Sequence, residues 1–180
     1  MISFIKKITE QFSEKKVPNL LDKEIRQLIE CQYLLTEEQG DPKFEAPCSE
    51  NEISEWEGKT GICVPADYKD WLKFTGSCRF PFYYLSLHLP ILKSDSGFAE
   101  FDEFPDDLVI IGEWIGDGEF ICFSKDNGKI YTFYDGDITD RGTFSEFLNS
   151  YIKDMRNEIC EENTIDEAYK EEMDELLNRL

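Results

Sequence analysis

Histidine is almost missing from this chain, with His88 alone among 180 residues. The six cysteines, Cys31, Cys48, Cys63, Cys78, Cys122 and Cys160, include no pair at C-x-x-C spacing. Together these absences exclude the common structural zinc sites, which need four clustered thiolates or imidazoles. No apolar run is long enough to span a bilayer, and the opening MISFIKKITEQF has no continuous apolar stretch before its lysines. The expectation is a reduced, cytoplasmic protein without a disulfide framework, in which Cys63 and Cys122 are buried small hydrophobes. Gly112, Gly116 and Gly118 match the dinucleotide fingerprint in neither spacing nor context. No internal repeat or low-complexity tract interrupts the chain. Basic residues are scarce: 19 Lys and Arg against 39 Asp and Glu leave a net charge of −20. Such a field repels nucleic acid and anionic membranes, where affinity rests on cations meeting phosphates. It accelerates encounter with a basic protein, although it also serves solubility alone.

What the chain does have is an ample supply of core formers, with 41% hydrophobic and 14% aromatic residues. Ile2, Ile5, Ile8 and Phe12 are spaced for a short amphipathic helix, broken at Val17-Pro18-Asn19. Leu21, Ile25, Leu28, Ile29 and Leu35 predict a clearer second helix. From Thr36 to Pro47 the composition turns to loop residues. Ser49 with Glu52 then forms a capping box, Ile53, Trp56 and Thr60 follow at helical spacing, and Gly61 suits the helix end. After an extended Gly-Ile-Cys-Val connector, Pro65 opens a further helix with Tyr68, Trp71, Leu72 and Thr75 on one face, closed by Gly76.

This order of residues, Ile53, Trp56, Glu57, Gly61, Ile62, Val64, Pro65, Asp67, Tyr68, Trp71, Leu72 and Gly76, resembles the opening signature of the SUKH superfamily. Its largest branch is the Smi/Knr family of cell-wall-synthesis regulators and bacterial immunity proteins. The likeness resumes near Leu108 and runs to about Tyr151, and it does not cover the two ends of the chain.

After Gly76 the hydrophobic period changes to two. Tyr83, Leu85, Leu87 and Leu89 alternate with Tyr84, Ser86 and His88, predicting a half-buried strand. His88 falls on its polar side, with no nucleophile or orienting partner in view. An acid-rich loop, Ser94 to Asp107, leads to the strand Leu108 to Ile115. A Gly116-Asp117-Gly118 turn, the strand EFICFS, an Asp126-Asn127-Gly128 turn and the strand KIYTFY complete an antiparallel meander. Thr143 and Glu146 cap a long helix with Phe144, Phe147, Leu148, Tyr151, Ile152, Met155 and Ile159 on its buried side. Thr164 and Glu167 repeat the box before an acidic amphipathic helix that ends at Leu180. The fold expected is α+β, a mostly antiparallel sheet packed against helices, SUKH-like, with additional N- and C-terminal helices. Its parts are an N-terminal helical extension (1–47), the SUKH-like domain (48–160) and the C-terminal helix (161–180), in one compact unit.

Asp117, Glu119, Asp135 and Asp137 gather at strand ends. Hard cations want several carboxylate oxygens, and paired carboxylates serve glycoside hydrolysis, but Asp-Gly is also an ordinary turn former. An acidic rim that meets a partner's arginines and lysines is the more economical reading, with Tyr134 as an aromatic anchor. Asp102 and Glu103 extend that candidate surface. No catalytic constellation, metal site or cofactor is expected. Resemblance implies a non-enzymatic binding protein, most often an immunity protein that neutralises a toxin domain. Many such toxins are nucleases with basic grooves, which an acidic surface can occupy as a phosphate mimic. The alternative is a regulator or scaffold of the cell-wall-synthesis type.

Overall fold

The computed structural model describes residues 21–39, 42–96, 104–116 and 118–161. The expected helices at 2–12 and 164–180 lie outside these residues, as do Asp102, Glu103 and Asp117 of the candidate surface. Among the described residues, seven strands form one sheet in the order β1-β2-β3-β4-β5-β6-β7, every neighbouring pair antiparallel. They are β1 (Lys43–Phe44), β2 (Cys78–Arg79), β3 (Leu85–Ile91), β4 (Leu108–Trp114), β5 (Glu119–Ser124), β6 (Ile130–Tyr134) and β7 (Asp137–Gly142). The helices are α1 (Asp22–Gln39), α2 (Glu50–Thr60), α3 (Ala66–Phe74) and α4 (Phe144–Glu161). The α+β architecture expected from the sequence is therefore the one observed.

Period-two alternation divides the sheet into two faces. Val109, Ile111, Ile121, Phe123 and Ile130 point into the main core with residues of all four helices. Leu108, Ile110, Cys122 and Phe133 point the other way and are covered by Phe104, whose ring meets Phe133 edge-on at 4.9 Å. Leu21, Ile25, Leu28 and Ile29 belong to the main core, and α1 lies along α4, so α1 is integral to the fold. The covering role of Phe104, in a loop otherwise read as acidic, was not legible beforehand.

The Ser49–Gly76 stretch shows why its residue types are specified. Ser49 caps α2 in the expected box, with Glu52 N–H donating to Ser49 Oγ at 3.2 Å and Ser49 N–H to Glu52 Oε2 at 2.8 Å. Gly61 ends the helix at φ 70°, the left-handed conformation that glycine adopts without penalty. Glu57 accepts a hydrogen bond from Val64 N–H at 2.7 Å and an ion pair from Lys69 at 2.8 Å, fastening the connector between α2 and α3. Pro65 is the residue before α3 rather than inside it. Gly76 follows the helix end at Thr75, and its role is close approach, since a Cβ there would meet Ala46 O at 2.7 Å. Cys63 is exposed, contrary to expectation. In an extended connector alternate side chains point oppositely, and Val64 is the one buried.

Tyr68 joins α3 to a defect in the sheet. The β3–β4 register shifts between Leu87 and Ile91, and the β4–β5 register shifts between Ile110 and Gly112. Tyr68, fully buried, points its hydroxyl at His88 O (2.6 Å) and Ile111 O (3.2 Å), within this irregular stretch. Burial pushes its phenol well above the ordinary value, so it stays a donor. Tyr68→Phe leaves both carbonyls without this partner and is expected to cost about 2 kcal/mol. Urea unfolding measures that loss, and an unchanged midpoint would show that the hydroxyl carries no weight.

The N-terminus of α4 is met by three carboxylates, favourably placed against the helix dipole. Thr143 and Glu146 make the expected capping box, with Thr143 N–H donating to Glu146 Oε2 at 2.7 Å. Asp67 accepts from Ser145 N–H at 3.0 Å, tying α3 to α4. Glu24 accepts from Ser145 Oγ at 2.9 Å and Asn149 Nδ2 at 3.0 Å, tying α1 to α4. Burial raises the Glu24 carboxyl, but the bonds from Asn149 and Ser145 outweigh it and hold the group below its ordinary value. A depressed carboxylate stabilises the fold above its unfolded value, and that contribution is lost as pH falls through the folded value. Glu24→Ala is therefore expected to lower stability by about 2 kcal/mol at neutral pH and by clearly less near pH ~3. Urea midpoints of both proteins at the two pH values check the sign.

Two short strands departed from expectation. Lys43–Phe44 pairs with β2 inside the predicted loop, with Phe44 edge-on to Phe74 and Phe80. β7 carries no apolar alternation, because all but Gly142 of its residues are exposed at the sheet edge. Its charges suit an edge that resists further pairing.

Candidate functional site

Strand directions bring three connections to one end of the sheet. Leu85 pairs with Trp114, Trp114 with Glu119, and Tyr134 with Asp137. The β2–β3 connection, the β4–β5 turn and the β6–β7 turn therefore lie side by side, at what is called here the Trp114 end. The β6–β7 turn is Asp135-Gly136, with φ 48° and 84°, the left-handed pair that a two-residue hairpin requires.

The β2–β3 connection is the least ordinary backbone in the described residues. The alternating pattern predicted a strand from Tyr83, but Phe82–Tyr84 is a 3-10 turn, with Tyr83 and Tyr84 at φ 50° and 52°. Such a conformation costs an L-residue about 1–2 kcal/mol. It is held by its flanks: Phe82 and Leu85 are buried, Phe80 N–H donates to Leu85 O at 2.7 Å, and the Tyr151 hydroxyl donates to Phe82 O at 2.8 Å. The outcome is two tyrosines standing in solvent, 54% and 64% exposed.

These tyrosines form one wall of a cleft of about 740 Å³ between the Trp114 end and α4. Trp114 and Ile115 line the sheet side, Phe147, Tyr151 and Asp154 the helix side, and Glu119 and Arg141 the floor beside β7. Trp114 is fixed by an edge-on contact with Phe147 at 5.8 Å. Arg141 is held by Thr132 Oγ1 at 3.2 Å and by Glu119 at 3.5 Å.

The sequence-chosen carboxylates are brought together only in part. Glu119 is half-buried and engaged by Arg141, so its charge is largely balanced within the fold. Asp135 and Asp137 are exposed at the adjacent turn, and Tyr134 is 53% exposed beside them. Phe133 is buried and Tyr131 half-buried on the opposite face, as expected for the core half of this aromatic group. Among the described residues, no group of three or more His, Cys, Asp or Glu is placed to hold a metal ion. His88 is half-buried, and its Nδ1–H donates to Leu89 O at 2.7 Å. No described helix is long and apolar enough to cross a membrane.

The paired helices around Glu57 and Tyr68, the meander with its bulge and the capped start of α4 lie within residues 47–150, which match the model of the SMI1 / KNR4 family (SUKH-1). The chain belongs to this family. The matched region spans more than half of the chain and includes every wall of the cleft except Tyr151 and Asp154. No curated protein matches the chain. The signature residues mostly build the core: of those shared with the SUKH pattern, Tyr68, Trp71 and Leu72 are fully buried, and none lines the cleft. The family signal thus marks the scaffold. Tyr83 and Tyr84 were missed because their turn contains no glycine or asparagine, with Pro81 the local sign of a break, and Trp114 was read only as a strand residue.

Proposed function

We infer that this SMI1 / KNR4 family protein is a non-enzymatic binding protein, and that its partner is a basic toxin domain which it neutralises by direct contact. The observation that carries the reading is the Trp114 end, where exposed aromatic side chains and acidic turns converge on one cleft in a chain of net charge −20. Exposed tyrosines beside an open cleft are unusual on a surface that has no partner, and aromatic anchors ringed by charge are the common makings of a protein interface. The acidic field supplies long-range attraction toward a basic surface, and the strained turn holds its two rings in place before binding. Asp135 and Asp137, with Tyr134, form the outer part of this surface.

The test begins with capture of a partner by the intact chain, eluted with increasing salt. Support requires a basic partner, released at high salt, whose expression alone arrests growth and whose toxicity is relieved by co-expressing this chain. Several weakly held, non-toxic partners would instead favour a regulator of the cell-wall-synthesis kind. Asp135→Asn with Asp137→Asn removes two steering charges without touching the core. Association with the partner is then expected to slow about threefold at low salt and to lose part of its salt dependence, by stopped-flow measurement. Unchanged association would remove these turns from the interface.

A further inference from the structure

The chemistry of the cleft walls narrows what can occupy it. Tyr83, Tyr84 and Trp114 line it with aromatic rings, joined by Phe147 and Tyr151 from α4. The ionised side chains lining the cleft are Glu119, Asp154 and Arg141. Arg141 is pinned between Thr132 and Glu119, which leaves Asp154, exposed on α4 and in no ion pair among the described residues. Aromatic rings, which can accept a cation on their faces, lining one cleft with a carboxylate in no described ion pair, select a flat cation over an anion or a neutral group. The volume, about 740 Å³, exceeds one side chain and suits a short loop.

We propose that the cleft receives an arginine-bearing loop of a basic protein partner, the guanidinium lying on Tyr84 and paired with Asp154. This rests on the reading of the chain as a partner-binding protein and names the subsite and the residue it takes. Arginine is preferred over lysine because a guanidinium stacks on a ring and bonds a carboxylate through two N–H groups at once, while an ammonium is compact and holds its water. The strain at Tyr84 has a matching purpose: it keeps the ring clear of its own fold, so that less ordering remains to be done on binding. The net negative charge of the chain supplies the complementarity to a basic loop.

The experiment titrates the full chain with a blocked penta-arginine peptide and a blocked penta-lysine peptide. It compares wild type, Tyr84→Gly, Asp154→Asn and a distant control, Asp126→Asn, at the opposite end of the sheet. Glycine at 84 removes the ring and eases the left-handed backbone, so this variant is expected to melt no lower than wild type. Tyr84→Gly and Asp154→Asn are each expected to weaken penta-arginine binding about fivefold, with Asp126→Asn close to wild type and penta-lysine about fivefold weaker than penta-arginine. Equal effects of all three substitutions, equal affinity for both peptides, or no binding of penta-arginine would overturn the proposal. The two readings fail separately. A captured toxin bound equally well by the Tyr84→Gly and Asp154→Asn variants ends this subsite and leaves toxin binding standing. Cleft-dependent arginine binding without any toxic partner upholds the subsite and ends the immunity reading.

Discussion

Replacing Gly112 with alanine is expected to destabilise the protein by about 3 kcal/mol, near the upper end of what one added methyl group does in a packed interior. Gly112 lies beside the bulge of β4, paired with Leu87 on one side and Ile121 on the other. A Cβ at this position would lie 2.2 Å from the Ser86 carbonyl oxygen and 2.8 Å from Leu87 Cδ2. The first of these atoms is backbone in the neighbouring strand, so relief demands that β3 and β4 move apart. That movement also disturbs the His88 and Ile111 carbonyls that face Tyr68, and the two losses reinforce each other. Thermal unfolding should show a midpoint lowered by about 10 °C. A variant that melts with wild type would mean that the two strands are farther apart than described.

Trp71→Ala is expected to cost about 4 kcal/mol, the largest loss from removing a single side chain. Trp71 is fully buried at the meeting point of α3, α4 and the β2–β3 connection, with ring centroids 5.7 Å from Phe74, 6.2 Å from Phe80 and 5.6 Å from Phe144. Alanine leaves a cavity walled by rigid rings, which collapse poorly around it. Its indole N–H, however, has no hydrogen-bond partner among the described residues. Trp71→Phe removes that buried donor together with part of the volume, so the two terms oppose, and a loss of only about 1 kcal/mol is expected. Denaturant unfolding of both variants separates the terms. Equal losses for phenylalanine and alanine would show that the N–H is satisfied and that ring shape alone governs the site.

The scaffold was legible where pattern and chemistry agreed. Ser49 and Glu52, Thr143 and Glu146, and Gly61 announced helix ends, and each made the bond or took the conformation expected of it. The buried side of α4 could be read from its 3.6-residue period through Met155. β7 could not, because an edge strand with both faces in solvent has no alternation to read. Cys63 could not be placed by counting hydrophobic neighbours, since in extended chain the neighbour points the other way. The candidate site fared less well for a physical reason. Sequence draws attention to charges at turns, and so found Asp135 and Asp137, but the cleft is made by Tyr83 and Tyr84 in a conformation held by the distant Tyr151 hydroxyl and by burial of Phe82 and Leu85. No local residue preference encodes that strain.

Hydrogen–deuterium exchange of the full chain, alone and with its captured toxin, tests the central claim most directly. The account predicts protection concentrated at Tyr83 and Tyr84, at Ile115 and Gly116, at Tyr134 to Asp137 and along the Ser150–Asp154 face of α4. Protection confined to the opposite end of the sheet, around Lys125 to Lys129, or to the outer surface of α2 would contradict it.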